Sequence, residues 1–269
     1  MRTLVQLSDL HFGRTDAAVL QPLLDAVAAI RPDVVVVSGD LTQRAREKEF
    51  REARVFLDRL PAPLIVVPGN HDVPLHRVWE RFASPLGKYR KLITDDLSPS
   101  FVDAEIAVLG INTARSLTFK NGRINEDQME TIHARFASLP EAVTKIVVTH
   151  HPFDLPDTPG AEDIVGRAAT AMQVFARCGV DLLLAGHFHT TQSGETSARH
   201  PLPGYSALVV RAGTATSTRG RGESNSFNVV KFDNAGIAVV PWIWQPERVA
   251  FEAAAGERFR RSGGRWAPA

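Results

Sequence analysis

A chain of 269 residues, 44% hydrophobic and 23% charged, is ordinary globular material with length enough for one large core, and a single α/β domain is the economical reading. Thirty-one Lys and Arg against thirty Asp and Glu leave a net charge of +1. No global field therefore recruits nucleic acid or an anionic membrane, and any anion specificity must be local.

The first predicted strand begins at about Thr3, leaving no room for a signal peptide, and runs into SDLH at residues 8 to 11. DAAVLQPLLDAVAAI follows, with Val19, Leu20, Leu23, Leu24, Val27 and Ile30 at helical spacing; then comes VVVVSGD (34–40), a β-branched run of buried-strand type. These predict a βαβ unit. The charged amphipathic stretch 46–60 predicts a second helix, and LIVV (64–67) a short strand ending at Pro68 and Gly69. Residues 73–104, with Pro74, Pro85 and Pro99, and residues 152–166 predict long loops with short helices over one face.

EIAVLGI (105–111), TKIVVTH (144–150) and VDLLLAG (180–186) predict three more strands. Helices are expected between them in NEDQMETIHARFASL, N-capped by Asn125, and in GRAATAMQVFARCG. The lone cysteine, Cys178, excludes an internal disulfide, and its helical setting suits a small buried hydrophobe. Beyond His189, YSALVVRAG, SFNVVKF and IAVVPWIW predict a finish in antiparallel strands, the last two as a hairpin. One domain over 1–250 is expected, followed by a basic, glycine-containing, partly mobile tail over 251–269. No apolar stretch approaches the ~18 residues of a membrane span, so a cytoplasmic protein is expected.

Polar residues fall in a pattern. Five of the apolar strands run into a short motif: SDLH, SGD, PGNHD, THHP and AGHFH. A lone D-x-H or G-D is usually an ordinary turn. Here four of the nine histidines, two aspartates and an asparagine fall at five strand ends in order, where open α/β sheets bind their ligands. Seven such side chains are too many for one structural zinc and suit two ions if one carboxylate bridges. Hard oxygen with imidazole nitrogen, and no thiolate, suits Mn, Fe or Zn and not calcium.

In this order, D-x-H, G-D, G-N-H-[DE], H-x-P and G-H-x-H resemble the five signatures of the calcineurin-like metallophosphoesterases, all intact between residues 9 and 189. The resemblance implies a four-layer αββα sandwich of two mixed β-sheets flanked by helices, with a dinuclear site at the strand ends. Carried over by position, it makes Asp9, His11 and His189 ligands of a first ion. Asn70, His150 and His187 become ligands of a second, and Asp40 bridges both. His71 then meets the scissile phosphate without binding metal, and His151 stands behind the ligands. Two divalent or mixed-valence transition-metal ions would clamp the phosphate and lower the pKa of a shared water, with Asp40 holding them ~3.5–4 Å apart. His71 would stabilise developing charge or protonate the leaving oxygen.

Within the family the layout is similar to the bacterial (class III) cyclic nucleotide phosphodiesterases, so a small phosphodiester is the expected substrate. The same scaffold serves glycerophosphodiesterases, phosphomonoesterases and nucleases, but a nuclease needs a basic groove, which a net charge of +1 without a continuous Lys/Arg run disfavours. A non-catalytic scaffold would be expected to have lost ligands, and here every expected position is filled. Asn112, Arg115 and Lys120, between a strand and a helix, are candidates for substrate contact, with Arg219, Arg221 and Asn225 as a second group; a solvated connection is the ordinary alternative for both. Trp242 and Trp244 share one strand face, which suits core packing or a homo-oligomer contact.

Overall fold

The computed structural model describes every residue except 62, 119, 156–163, 197–198, 219–222 and 234. The first half of the chain runs β1 (Arg2–Leu7), α1 (Ala17–Ile30), β2 (Val34–Ser38), α2 (Glu47–Leu57) and β3 (Leu64–Val67), then two short helices, α3 (Val78–Ala83) and α4 (Gly87–Leu92). It continues through β4 (Ser100–Val102), β5 (Ile106–Gly110), α5 (Glu126–Phe136), β6 (Thr144–Val148), α6 (Ala168–Cys178), β7 (Leu182–Ala185), β8 (Gln192–Glu195) and β9 (Leu208–Arg211). The antiparallel finish is β10 (Ser226–Asp233), β11 (Gly236–Gln245), β12 (Ala250–Ala253), β13 (Glu257–Ser262) and β14 (Arg265–Pro268).

These strands form two mixed sheets. One has the order β14-β13-β11-β10-β1-β2-β3 with β12 paired to β11; the other has the order β4-β5-β6-β7-β9-β8. Within the first, β1, β2 and β3 run parallel, while β10 lies antiparallel to β1 with Leu4 opposite Val230.

Alternation along the strands explains why they read as unbroken apolar runs. Val35 and Val37 point to a core shared with Val19, Leu23 and Val27 of α1 and Phe50 and Phe56 of α2. Val34 and Val36 point the other way, into a second core with Ile146, Val148, Leu182 and Leu184 of the opposite sheet. Val147 and Leu183, on the far face of that sheet, pack with Met129 and Ile132 of α5 and Phe175 and Cys178 of α6. A strand buried on both faces cannot carry polar alternation, so its polar residues gather at its ends. Three cores between four layers are the αββα sandwich.

The expectation of a mobile tail over 251–269 gives way to three paired strands. Phe251 joins the core under α1, while Phe259 and Trp266 close the core between the sheets. The Trp266 indole N–H donates to Asp181 Oδ1 at 3.1 Å, and its backbone amide donates to Ser206 Oγ at 2.8 Å. Arg258, Arg260 and Arg265 flank buried Phe259 and Trp266 on the outward alternate positions, and Arg261 reaches Asp181 Oδ1 at 3.3 Å, so the composition resembles a solvated tail. Trp242 stacks on Phe227 and Trp244 packs on Phe251, so both indoles serve the core. Among the described residues no helix is long and apolar enough to cross a membrane.

Candidate metal centre

The polar motifs leave the carboxyl ends of β1, β2, β3, β6 and β7, and the structure brings all seven predicted ligands together. Asp9 Oδ1 lies 3.1 Å from His189 Nε2 and 3.5 Å from His11 Nε2, and those two nitrogens are 3.2 Å apart. Beside this trio, Asn70 Oδ1 lies 3.1 Å from His150 Nε2 and 3.1 Å from His187 Nδ1, which are themselves 3.3 Å apart. Asp40 Oδ2 stands between the two groups, 3.4 Å from His150 Nε2 and 3.8 Å from His11 Nε2. Two three-membered sets with a carboxylate between them is the arrangement that two ions need.

The local backbone is built for this convergence. Nine described residues other than glycine have positive φ, and five of them are Asp9, His11, Asp40, His187 and His189. A left-handed conformation costs a side-chain-bearing residue energy, and such strain persists only where surrounding structure enforces it. Two glycines let the strand ends close up: a Cβ on Gly69 would collide with Asp40 Oδ1, and one on Gly186 with Ser8 Oγ and Asp9 Oδ2.

Neighbouring groups aim the ligand atoms. His150 Nδ1 bonds the Ser38 carbonyl at 2.9 Å, which turns Nε2 into the site. Asp9 Oδ2 accepts from Ser8 Oγ at 2.6 Å and from the His187 amide at 3.0 Å. Its Oδ1 is buried and accepts no well-aligned hydrogen bond, although it faces two imidazoles. Asp40 Oδ1 accepts from the His71 amide at 2.8 Å, which leaves Oδ2 for the centre. A buried, unsatisfied carboxylate oxygen among inward-turned imidazole nitrogens fits a transition-metal ion.

Charge in the ion-free protein is shared unevenly. Burial opposes ionisation of Asp40, yet the imidazoles of His150, His71 and His11 hold its carboxyl far below the usual range. Burial equally opposes a charge on His150, but Asp40 and then Asp9 outweigh it and raise that imidazole to about 9. His187 is pushed down to about 4 by burial and by His150. His151, fully buried, is held well below its ordinary value by the same two effects, burial first.

His71 sits at the rim, half-buried, with Nδ1 bonded to the Gln43 carbonyl at 2.9 Å and its ring edge-on to His11 at 5.0 Å. That bond turns its Nε2 away from Gln43. His151 packs against the rings of His150 and His187, each at 4.8 Å, and Nδ1 meets Thr113 Oγ1 at 2.8 Å. Asn112 is buried, with Oδ1 accepting the Ala114 amide at 2.9 Å. Arg115 donates to the Asn112 and Ala114 carbonyls and to Gln128, so two of the three substrate candidates shape their own loop. They also line a cavity of about 340 Å³ with Arg90, while Lys120 is exposed. Arg219 and Arg221 lie outside the described residues; Asn225 Nδ2 donates to the Thr214 and Ser217 carbonyls.

Several supporting residues carry no clear sequence signal. Asp72, the last residue of PGNHD, accepts from the amides of Leu41, Thr42 and Gly69 and from Thr42 Oγ1, at 2.9–3.1 Å, and so joins the ends of β2 and β3. Burial and the charge of Asp40 push its carboxyl up to about 6 despite those bonds. Thr214 and Thr216 hold the Asp9 and Leu10 carbonyls at 2.8 Å and 2.6 Å. Only the position of Asp72 inside the motif could have pointed to it.

The family model described as Calcineurin-like phosphoesterase matches residues 2–191. The 3',5'-cyclic adenosine monophosphate phosphodiesterase CpdA of Escherichia coli strain K12 is 25% identical over 201 residues, 69% of each chain. The glycerophosphodiester phosphodiesterase GpdQ of Enterobacter lignolyticus is 52% identical over 42 residues, which span 16% of this chain and 15% of that protein. Among solved structures, a dimetal phosphatase from Danio rerio superposes with a TM-score of 0.66 at 16% identity, over 94% of this chain and 98% of that one, a likeness of fold.

Proposed function

The chain belongs to the calcineurin-like phosphoesterase family, and on that premise we propose that it is a dinuclear-metal phosphodiesterase acting on small phosphate diesters such as cyclic nucleotides. The observation that carries this reading is the pair of ligand trios with Asp40 between them. Asp9, His11 and His189 would hold one ion, Asn70, His150 and His187 the other, and Asp40 both. Two ions of the Mn, Fe or Zn type, when bound, neutralise phosphoryl oxygens and make a water acidic enough to attack phosphorus near neutral pH.

The chain's own residues supply orientation and protons. His71, locked through Nδ1 to the Gln43 carbonyl, is the group at the rim able to give a proton to a departing alkoxide. His151 and Thr113 brace the His150 and His187 rings from behind. Asn112 and Arg115 set the shape of the 112–122 loop, and exposed Lys120 is its candidate for contact with a diester anion. The likeness to a cyclic nucleotide phosphodiesterase over most of the chain supports that substrate class. The short, strong match to a glycerophosphodiesterase supports glycerophosphodiesters as the second.

Metal-reconstituted protein should be assayed on cyclic nucleotides, glycerophosphodiesters, aryl mono- and diesters and single-stranded DNA, with elemental analysis alongside. Chelation should abolish turnover, Asp40→Ala should lower occupancy of both positions, and Asn70→Ala should empty mainly one. Active protein holding one metal or none would reject the dinuclear reading, and preference for monoesters would reject the diesterase.

A further inference from the structure

We infer that the apolar face of α3, with Leu75 and Leu117 beside it, docks on an anionic lipid surface. Nine large hydrophobic residues are substantially exposed among those described, and four of them fall between residues 75 and 82: Leu75, Val78, Trp79 and Phe82. Val78, Trp79 and Phe82 stand at i, i+1 and i+4, one face of a helix, and the indole is 86% exposed. Scattered single apolar residues need no explanation, but a cluster containing a bare tryptophan does.

This presentation is enforced from behind. Arg81, on the opposite side of α3, is 2% exposed, and its guanidinium donates to the carbonyls of Pro74, Ser116 and Thr118 at 3.0, 2.7 and 2.8 Å. Three backbone bonds pin the helix to both neighbouring loops and bring Leu117, 83% exposed, to its side. Leu75 lies four residues after His71 in the chain.

Charge selects the occupant. Leu75 and Arg77 also line a cavity of about 430 Å³ with Arg44, Arg46, His76 and Lys88, against Glu47. Glu80 is shared between Arg77 and Lys88. With Glu49 paired to Arg46 and Arg51 to Glu47, five cations stand against three carboxylates at this one place, in contrast with a net charge of +1 for the whole chain. A second copy meeting this face across a two-fold axis would bring those cations together, which opposes self-association. Five side chains on one short helix and a loop tip are also few beside the 20–30 residues per side of a typical stable protein interface. A bilayer needs only a small apolar wedge with cations at its rim: tryptophan and phenylalanine enter the headgroup boundary, and arginines meet anionic lipid.

The test is flotation of the full chain with phosphatidylcholine vesicles and with mixed phosphatidylcholine and phosphatidylglycerol vesicles, at low and high salt. The chain should float with the mixed vesicles, less so as salt rises, and Trp79 emission should shift to the blue, a shift lost in Trp79→Phe. Trp79→Ser/Phe82→Ser should weaken partitioning by at least ~10-fold, while hydrolysis of a soluble bis-aryl diester is unchanged. Arg44→Glu/Arg77→Glu should remove the preference for anionic vesicles, and Val102→Ser, on an exposed residue elsewhere, should change nothing. Failure of the wild type to float, or equal flotation of the serine double variant, overturns the inference. So does a dimer by light scattering that Trp79→Ser dissolves in a chain that ignores vesicles, which would assign the face to a second copy.

Discussion

The backbone amide of His187 donates to Asp9 Oδ2 at 3.0 Å, joining residues 178 positions apart in sequence. With Ser8 Oγ on the same oxygen, Oδ2 is fully engaged and Oδ1 alone faces the centre. The turn that carries His187 of one trio therefore aims the Asp9 carboxylate of the other, through a contact between the two sheets.

That contact predicts an effect for a residue with no side chain. Gly186→Ala would drive a methyl group into Ser8 Oγ and Asp9 Oδ2. The variant should fold but bind metal weakly at the Asp9, His11, His189 position while retaining the other ion. Wild-type metal stoichiometry and affinity in calorimetric titration would show that the strand ends can separate at no cost.

Asp72 should matter for stability more than for chemistry. Asp72→Ala leaves three buried backbone amides, those of Leu41, Thr42 and Gly69, without their acceptor, while the Thr42 hydroxyl keeps the His71 carbonyl at 3.2 Å. At about 1 kcal/mol or more for each unmet donor, metal-free protein should lose roughly 3–5 kcal/mol in denaturant unfolding. A loss below about 1 kcal/mol would mean that water replaces the carboxylate.

Deleting residues 250–269 should cost far more than trimming a loose tail. Phe251, Phe259 and Trp266 leave the core with that segment, each worth roughly 1.5–3 kcal/mol of burial. Their sum approaches the whole stability of an ordinary domain. The truncated chain should be insoluble or melt far below the full chain. A thermal midpoint within a few degrees of the full chain's would contradict the packing described here.

Metal uptake should release protons. Below about pH 9 the ion-free His150 imidazole is charged, and a ligand nitrogen must be neutral, so an entering ion displaces that proton. His187, at about 4, is already neutral at physiological pH and gives none. Affinity should therefore fall as pH falls below about 9, with about one proton from His150 per ion bound at its position. Calorimetry in buffers of differing ionisation enthalpy measures the number, and pH-independent affinity between pH 6 and 9 would contradict the assignment.

His71→Ala should discriminate between leaving groups. A ribose or alkyl alkoxide needs a proton on departure, whereas a nitrophenolate leaves unaided. Cyclic nucleotide hydrolysis should fall by roughly 10²–10⁴ and nitrophenyl diester hydrolysis much less, at unchanged metal content. Equal losses on both would make His71 a phosphate-positioning group.

Much of the site was legible in the sequence because the chemistry is local. An apolar strand must end somewhere, and the residues at its end project where open sheets bind ligands, so five polar motifs at five strand ends pointed to seven side chains that the fold brings together. The βαβ order, the Asn125 cap and the closing hairpin were legible for a similar reason, since each rests on short-range periodicity or capping. The short edge strands β4 and β8 carry too few residues to show a period; they are strands because a neighbour offers a ladder of hydrogen bonds.

The residues of the C-terminal segment determined, by themselves, only that it is basic and glycine-containing. Its place in the sheet was decided by Ile237 to Val239 of β11, which offer a free edge to Glu257–Phe259, and by Asp181 and Ser206, which await Trp266. Likewise the sequence determined which side chains can bind metal, whereas the aim of each atom was decided by groups remote in the chain: Ser38 behind His150, Gln43 behind His71, His187 above Asp9. Ligand identity is a property of one residue, but ligand direction needs a partner on another strand, and only the packing of the two sheets supplies it.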